Sequence, residues 1–236
     1  MKEIWSNVRP VCVVLCAGRG TRFGEEFEET PKVLVEVNGK PLLWHVVEYW
    51  KNYCDKFVFI VGFQKQKVVD FAKTLGVQCS FIEQTKLNGI AKAVELARPL
   101  VGDKFAVVLG DCLCKGDFDF PKEMDQAVGV WRTQNTEDIT RSYAVELDGL
   151  RLMRVVEKPK QLLNDFCGMG FYFFDKKVFD YIAKTPPSNL RNEVEITDVI
   201  GRLIESGQSV GAAVFKGEYL NLTYKEDLPR AEKLLG

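Results

Sequence analysis

Among 236 residues there is one histidine, His45, and no GxSxG or HExxH string. Serine-hydrolase elbows and zincin-type metal sites therefore have no support. No GxxxxGK[ST] P-loop is present, and the glycine-rich loop after the first apolar run carries Phe23 where a GxGxxG fingerprint needs glycine. A nicotinamide dehydrogenase, which would share an α/β pattern, loses support on that ground, and failure to bind NAD(P) would close it. The seven cysteines include no CxxC pair, which argues against a zinc ribbon or a thioredoxin-like site. Long apolar runs are missing too: residues 11–17 and 105–109 fall far short of the ~18 residues of a membrane span. The start, MKEIWSNVRP, lacks a signal-peptide h-region. Charge of one sign is not in excess, since 32 Lys and Arg face 33 Asp and Glu. Binding to nucleic acid or to an anionic membrane is not expected from that balance.

What is present is the composition of a globular chain, 46% hydrophobic and 28% charged, long enough to bury a core without disulfides or structural metal. Cys12, Cys16, Cys112 and Cys114 lie in or beside apolar runs, where reduced cysteine acts as a small hydrophobe. A reducing cytoplasm follows as the expected location. In the first half, short apolar runs predict buried strands at 11–17, 56–62, 77–83 and 105–110. Helical spacing predicts helices at 41–53, 65–75 and 89–100. The second half predicts strands at 127–131, 142–147, 152–157, 169–174 and 210–215, with helices at 177–183, 194–206 and 227–235. Strands alternating with helices imply an α/β, doubly wound, mostly parallel (mixed) sheet. We expect one domain over 1–236, with a nucleotide-binding half at 1–120 and a second cleft wall at 121–236. In such sheets ligands bind beyond the carboxyl ends of the strands. Segments 18–24 and 84–89 and the pair Gly110-Asp111 fall there.

The loop Gly18-Arg19-Gly20-Thr21-Arg22-Phe23-Gly24 follows a buried strand. Its glycines permit close backbone approach, and successive N–H groups can cradle phosphate oxygens. Arg19, Arg22 and, after Pro31, Lys32 add positive charge. Taken alone, the loop also reads as an ordinary strand-to-helix turn with solvated arginines. Asp111 ends an apolar strand, where a carboxylate suits Mg²⁺ bound together with substrate phosphates; a turn aspartate is the plainer reading. His45 sits within PLLWHVVEYW among core-facing residues, so a structural role is expected.

The string Leu15-Cys16-Ala17-Gly18-Arg19-Gly20-Thr21-Arg22, followed by Pro31-Lys32-Val33-Leu34, resembles the LAAGxGTR…PKxL signature of the sugar-1-phosphate nucleotidylyltransferases. The resemblance continues in order along nearly the whole chain. It implies a Rossmann-like nucleotidyltransferase fold, with Ala17, Gly18, Gly20 and Thr21 wrapping a nucleoside triphosphate. Arg22, Lys32 and Lys158 are then expected to carry catalysis by holding phosphate charge. Gln84 and Gly89-Ile90-Ala91-Lys92-Ala93 are similar to the Q…G[TL]AxA segment, which implies that Gln84 and the Gly89 backbone read a pyrimidine edge. An amide that both donates and accepts suits uracil or thymine. The GD pair implies Asp111 as a Mg²⁺ ligand, and Asn221 stands where the second ligand is expected.

Tyr143-Ala144-Val145 and Val156-Glu157-Lys158-Pro159 look like YGVV…EKP, with Ala144 in place of a usual glycine. Here Tyr143 and Glu157 are expected at the sugar and Lys158 at its phosphate. Gly168-Met169-Gly170-Phe171-Tyr172 resembles the TGxY strand, which adds Gly170 to the sugar site. Gly168 stands where uridylyltransferases for N-acetylglucosamine phosphate have Asn, which points away from that substrate. Arg191-Asn192-Glu193-Val194-Glu195-Ile196-Thr197-Asp198 is similar to the RGELEITD segment of glucose-1-phosphate thymidylyltransferases, and implies Arg191 as a second clamp on the sugar phosphate.

The implied reaction joins an NTP, UTP or dTTP in preference, to a sugar-1-phosphate with release of pyrophosphate. Its nucleophile is a phosphate monoester, mostly dianionic near neutrality because its second pKa is ~6, so no general base is needed. A sequence poor in histidine agrees with that chemistry. The alternatives are a CTP-dependent enzyme for a phosphorylated alcohol such as inositol phosphate, and a non-catalytic sugar-nucleotide-binding module. The expected partners are small molecules only, and a homo-oligomer is possible.

Overall fold

The computed structural model describes residues 9–24, 27, 29–121 and 124–236. Of the N-terminal stretch read above for a signal segment, residues 1–8 lie outside that set. In chain order the elements are β1 (Val11–Cys16), β2 (Glu36–Val37), β3 (Lys40–Pro41), α1 (Leu42–Trp50), β4 (Lys56–Val61), α2 (Lys65–Lys73), β5 (Gln78–Glu83), α3 (Ile90–Leu96), β6 (Lys104–Leu109) and β7 (Cys112–Asp119). The second half adds β8 (Gln126–Arg132), α4 (Thr136–Arg141), β9 (Tyr143–Asp148), β10 (Arg151–Glu157), β11 (Phe166–Asp175), α5 (Val178–Lys184), α6 (Ile196–Glu205), β12 (Val210–Asn221) and α7 (Leu228–Leu235).

Ten strands form one sheet, ordered β5-β4-β1-β6-β11-β8-β12-β10-β9 with β7 alongside β12. The first four are mutually parallel, with β1 in register between β4 and β6. Beyond β6 the sheet turns mixed. β11 runs antiparallel to β6 and β8, while β12 is parallel to β8. β9 pairs with β10 and also meets β11, which closes the second half back on itself. The four-strand parallel block belongs to the first half, where α1, α2 and α3 lie on the crossovers from β1 to β4, β4 to β5 and β5 to β6. In the second half β9 returns directly into β10 as an antiparallel pair, while helices stand between β8 and β9 and between β11 and β12.

Apolar clusters cover both faces. α1 buries Leu42, Leu43, Val46, Val47 and Trp50, a helical stripe that starts directly after Pro41. With α2 and α7 it packs on one face, while α3, α5 and α6 cover the other. His45 Nε2 lies 2.9 Å from the Val37 carbonyl oxygen, which ties α1 to the β2–β3 hairpin. All seven cysteines are free, and only Cys79, on the edge strand β5, is not buried. Burial pushes the Cys16 and Cys112 thiols upward, with the nearby Asp111 charge adding to it. Among the described residues no helix is long and apolar enough to cross a membrane.

Several elements differ from the sequence expectation. β7 and the hairpin β2–β3 were not predicted, nor was α4, which Asn135 caps by accepting from the Glu137 N–H at 3.1 Å. Predicted to stop at 215, β12 runs on to Asn221, because Lys216–Asn221 pair with Cys112–Asp117 of β7. The polar run Lys216-Gly217-Glu218 has no strand signature of its own, and its partner strand supplies the pairing.

Candidate active site

A groove of about 390 Å³ opens at the carboxyl ends of β1 and β6, with its far wall built by β9, β10, β11 and the loop before α6. Gly18, Gly20, Thr21, Arg22, Lys32, Asp111, Tyr143, Glu157, Lys158, Gly170, Arg191 and Asn221 all line it. Residues expected at two ends of a substrate pair, and far apart in the chain, are therefore brought to one cleft.

The glycine loop approaches Lys32 closely. Gly20 adopts φ +69°, and a Cβ there would lie 2.7 Å from Lys32 Cβ. That proximity places the Lys32 stem against the loop, and its ammonium donates to Asp111 Oδ2 at 2.7 Å. Both side chains are largely sheltered, at 12% and 26% exposed. Asp111 follows β6, and its carbonyl accepts from the Leu222 N–H at 3.0 Å. Asn221, in register with Cys112, stands beside it at the end of β12.

This donor pair is one carboxylate and one amide oxygen. No group of three or more His, Cys, Asp or Glu side chains converges among the described residues. Two hard oxygen donors beside an open groove suit Mg²⁺, which keeps waters and takes its remaining ligands from phosphates.

Ala17 and Gln84 lie in an adjoining hollow of about 250 Å³ with Gly62, Phe63 and Leu87. Arg19 also faces that hollow, with its guanidinium 5.3 Å from the centre of the Phe63 ring. The buried Gln84 side chain donates to Asn88 Oδ1 at 3.4 Å. Gly89 lines neither space. It has φ +110°, and a Cβ there would lie 2.5 Å from the Val194 carbonyl oxygen. The backbone around it is clamped, since Val194 N–H donates to Asn88 O at 3.0 Å and Ala91 N–H to Val194 O at 3.3 Å. Close packing against the segment before α6 therefore accounts for glycine at this position.

On the far wall, Lys158 adopts a left-handed backbone, φ +43°. Burial, together with the charges of Arg191 and Arg22, holds its ammonium below the usual lysine range. Cations from the glycine loop, the turn after β10 and the loop before α6 thus crowd one spot, an arrangement suited to an anion. Arg191 donates through Nη2 to Glu157 Oε1 at 2.8 Å and through Nε to Glu195 Oε1 at 2.7 Å. Burial pushes the Glu157 carboxyl up, opposed first by Arg191.

Two expected sugar-site residues have their polar atoms committed inward. Tyr143 is buried, and its hydroxyl donates to the Met169 carbonyl at 3.0 Å. A Cβ on Gly168 would fall 1.9 Å from that ring, so bare Gly168 makes the space Tyr143 occupies. The Gly170 N–H donates to the Tyr219 hydroxyl at 3.0 Å. Ala144 packs with Ile139 and Cys167, so its methyl belongs to that small core.

The groove also contains Ile90, Arg141, Glu195 and Thr223, which the sequence reading did not place there. Arg141 is held by Asp227, at 3.2 Å, and by Glu137, at 2.8 Å. Glu195, flanked by the apolar Val194 and Ile196, carried a usable signal: a carboxylate predicted buried needs a nearby cation.

A family model described as nucleotidyl transferase matches residues 11–228. The chain is 31% identical over 232 residues to the UTP–glucose-1-phosphate uridylyltransferase AglF of Haloferax volcanii, covering 94% of this chain and 95% of that one. It is 32% identical over 223 residues to the bifunctional protein GlmU of Methanocaldococcus jannaschii, covering 94% of this chain but 53% of that one. It thus spans about half the length of its GlmU relatives. Its fold matches a Bacillus anthracis chain assigned as a glucose-1-phosphate thymidylyltransferase and solved with a sucrose. That match has TM-score 0.82 and 26% identity over 94% of each chain. A UDP-glucose pyrophosphorylase complexed with UDP-glucose gives TM-score 0.84 at 23% identity, covering 96% of this chain and 98% of that one; this likeness shows the fold. Together with the family match over nearly the whole length, it follows that the chain belongs to the nucleotidyl transferase family.

Proposed function

We propose that the protein transfers a nucleotidyl group from an NTP, UTP or dTTP in preference, to a sugar-1-phosphate, giving an NDP-sugar and pyrophosphate. The observation that carries this reading is the convergence of Arg22, Lys32, Lys158 and Arg191 with Asp111 and Asn221 on one groove. A reaction between two polyanions needs that arrangement more than it needs a base.

In this reading the 1–120 half holds the nucleotide, with Gln84 at the base, and the 121–236 half holds the acceptor. The acceptor's phosphate oxygen attacks the α-phosphorus. A bond forms there, the bond to the oxygen bridging the α- and β-phosphorus breaks, and pyrophosphate leaves with its electron pair. Arg22 and Lys32 bind the triphosphate, while Lys158 holds the acceptor phosphate in line. Glu157 accepts hydrogen bonds from sugar hydroxyls. Asp111 and Asn221 would hold Mg²⁺, whose charge neutralises phosphate oxygens when bound. Free, buried thiols support a reducing compartment, and we place the reaction in the cytoplasm.

The test is a pyrophosphate-release screen of UTP, dTTP, CTP, GTP and ATP against sugar-1-phosphates and inositol phosphate, with Mg²⁺. Release with UTP or dTTP and a hexose-1-phosphate is expected. Silence across the panel overturns the reading, and activity confined to CTP with inositol phosphate reassigns the substrates.

A further inference from the structure

The acceptor end of the groove contains a carboxylate with no task in the reaction above. Glu195 is 3% exposed. It occupies the N-cap position of α6 but makes no side-chain cap, although side chains at this position commonly satisfy the first free N–H groups. Its oxygens go to Arg191 instead. Nε donates to Oε1 at 2.7 Å and Nη2 to Oε2 at 2.9 Å, while Ser188 Oγ lies 3.5 Å from Oε1. Bidentate pairing fixes the plane of a guanidinium as well as its position.

The fixed group then fixes another. Arg191 Nη2 also donates to Glu157 Oε1 at 2.8 Å, and Thr197 Oγ1 donates to Glu157 Oε2 at 3.2 Å. Arg191 Nη1 is the guanidinium nitrogen that these bonds leave unused. Glu195 is the more buried carboxylate of the two, at 4% side-chain exposure against 20% for Glu157. An ionised carboxylate so enclosed is costly without its cation, so Arg191 is held in place.

We infer that Glu195 is a positioning residue for the acceptor: it orients Arg191, and through Arg191 the Glu157 carboxylate. This rests on the nucleotidyl-transfer reading. It goes further in giving the orientation of the acceptor end to a residue that need not touch either substrate.

The experiment measures acceptor and NTP KM separately for wild type, Glu195→Gln, Arg191→Gln and the double variant. Calorimetric binding of the sugar-1-phosphate, which needs no turnover, runs in parallel. Glu195→Gln is expected to raise the acceptor KM and Kd about tenfold, the scale of one charged hydrogen bond. The NTP KM should stay within about twofold, since the triphosphate residues are untouched. The double variant should be no worse than Arg191→Gln alone, because Glu195 acts through that residue.

An unchanged acceptor Kd, an equal rise in both KM values, or additive losses in the double variant would overturn the assignment. Glu195→Asp keeps the charge and guards against misfolding. It should show an intermediate, acceptor-selective loss, and equal weakening of both substrates would count against positioning. A wild type that binds sugar-1-phosphate without turnover would sink the reaction and leave this inference standing on the Kd values. A wild type that binds none would sink both.

Discussion

Lys32 Nζ and Asp111 Oδ2 sit 2.7 Å apart on the same side of the groove, so a side chain assigned to phosphate neutralises one assigned to metal. Each group therefore has a partner before substrate arrives, and substrate binding must exchange that partner. Lys32→Met should leave Asp111 with an uncompensated, part-buried charge. We expect a loss of about 1–3 kcal/mol of stability, the scale for breaking a sheltered pair. We also expect about a hundredfold loss in kcat/KM for NTP, the scale of losing one charged contact to the triphosphate. Urea denaturation and initial rates read the two effects. Asp111→Asn should abolish Mg²⁺-dependent turnover; rates unchanged in either variant would remove the pair from the site.

Lys158 should show function opposed to stability. Its ammonium is held below the ordinary range by burial first, then by Arg191 and Arg22. With the folded value lowered, the unfolded chain binds more protons between that value and the ordinary lysine range. Stability contributed by this group therefore rises with pH through that window and is at its worst below it. Lys158→Met should raise Tm near neutral pH by about 1–2 °C, a small effect because solvent screens a group this exposed. It should weaken acceptor binding at least about tenfold while sparing NTP. A fall in Tm with acceptor affinity retained would contradict both assignments.

Glu157 should set the acid limb of acceptor use. Its carboxyl is pushed up by burial, and Arg191 only partly reverses this. Ionised Glu157 is the better hydrogen-bond acceptor for sugar hydroxyls, so kcat/KM for the acceptor should fall as pH drops through that raised value. The fall should begin above the ordinary glutamate range. Stability moves the other way, since this group destabilises the fold as it ionises. Glu157→Gln should reduce the acid limb to the part set by the acceptor phosphate itself, whose second pKa is ~6, and a limb that persists unchanged would assign it wholly to other groups.

Gly89→Ala tests the clamp between the base-side loop and the segment before α6. A methyl there meets Val194 backbone at 2.5 Å with φ at +110°. Destabilisation of about 2–4 kcal/mol is expected from combined strain and overlap, with NTP affinity reduced as the loop shifts. Chemical denaturation would show it, and a neutral result would mean that the loop moves freely.

Much of this was readable from residues. The stripe Leu42, Leu43, Val46, Val47 and Trp50 after Pro41 declares α1 without tertiary information, because helix periodicity and a start signal coincide. That the glycine loop and the strand-end Asp111 would meet at one cleft was likewise legible, because in such sheets the carboxyl ends of neighbouring strands open together. β7 was not, since Lys115-Gly116-Asp117 has no apolar alternation and gains its strand form from β12, about a hundred residues on. The packing constraint on Gly89 was hidden for a related reason: it comes from Val194, about a hundred residues on. Arg141 escaped notice because its holder, Asp227, lies 86 positions away.

The thiol distribution has a practical corollary. Six sulfhydryls are sealed in the interior, two of them directly behind Asp111, and Cys79 alone, half-buried on the edge strand β5, is open to solvent in part. A maleimide dye on the unaltered polypeptide should therefore attach at that one place. That label sits near the amino end of β5, away from the groove at the carboxyl ends of the strands, so it marks the protein without crowding the cleft.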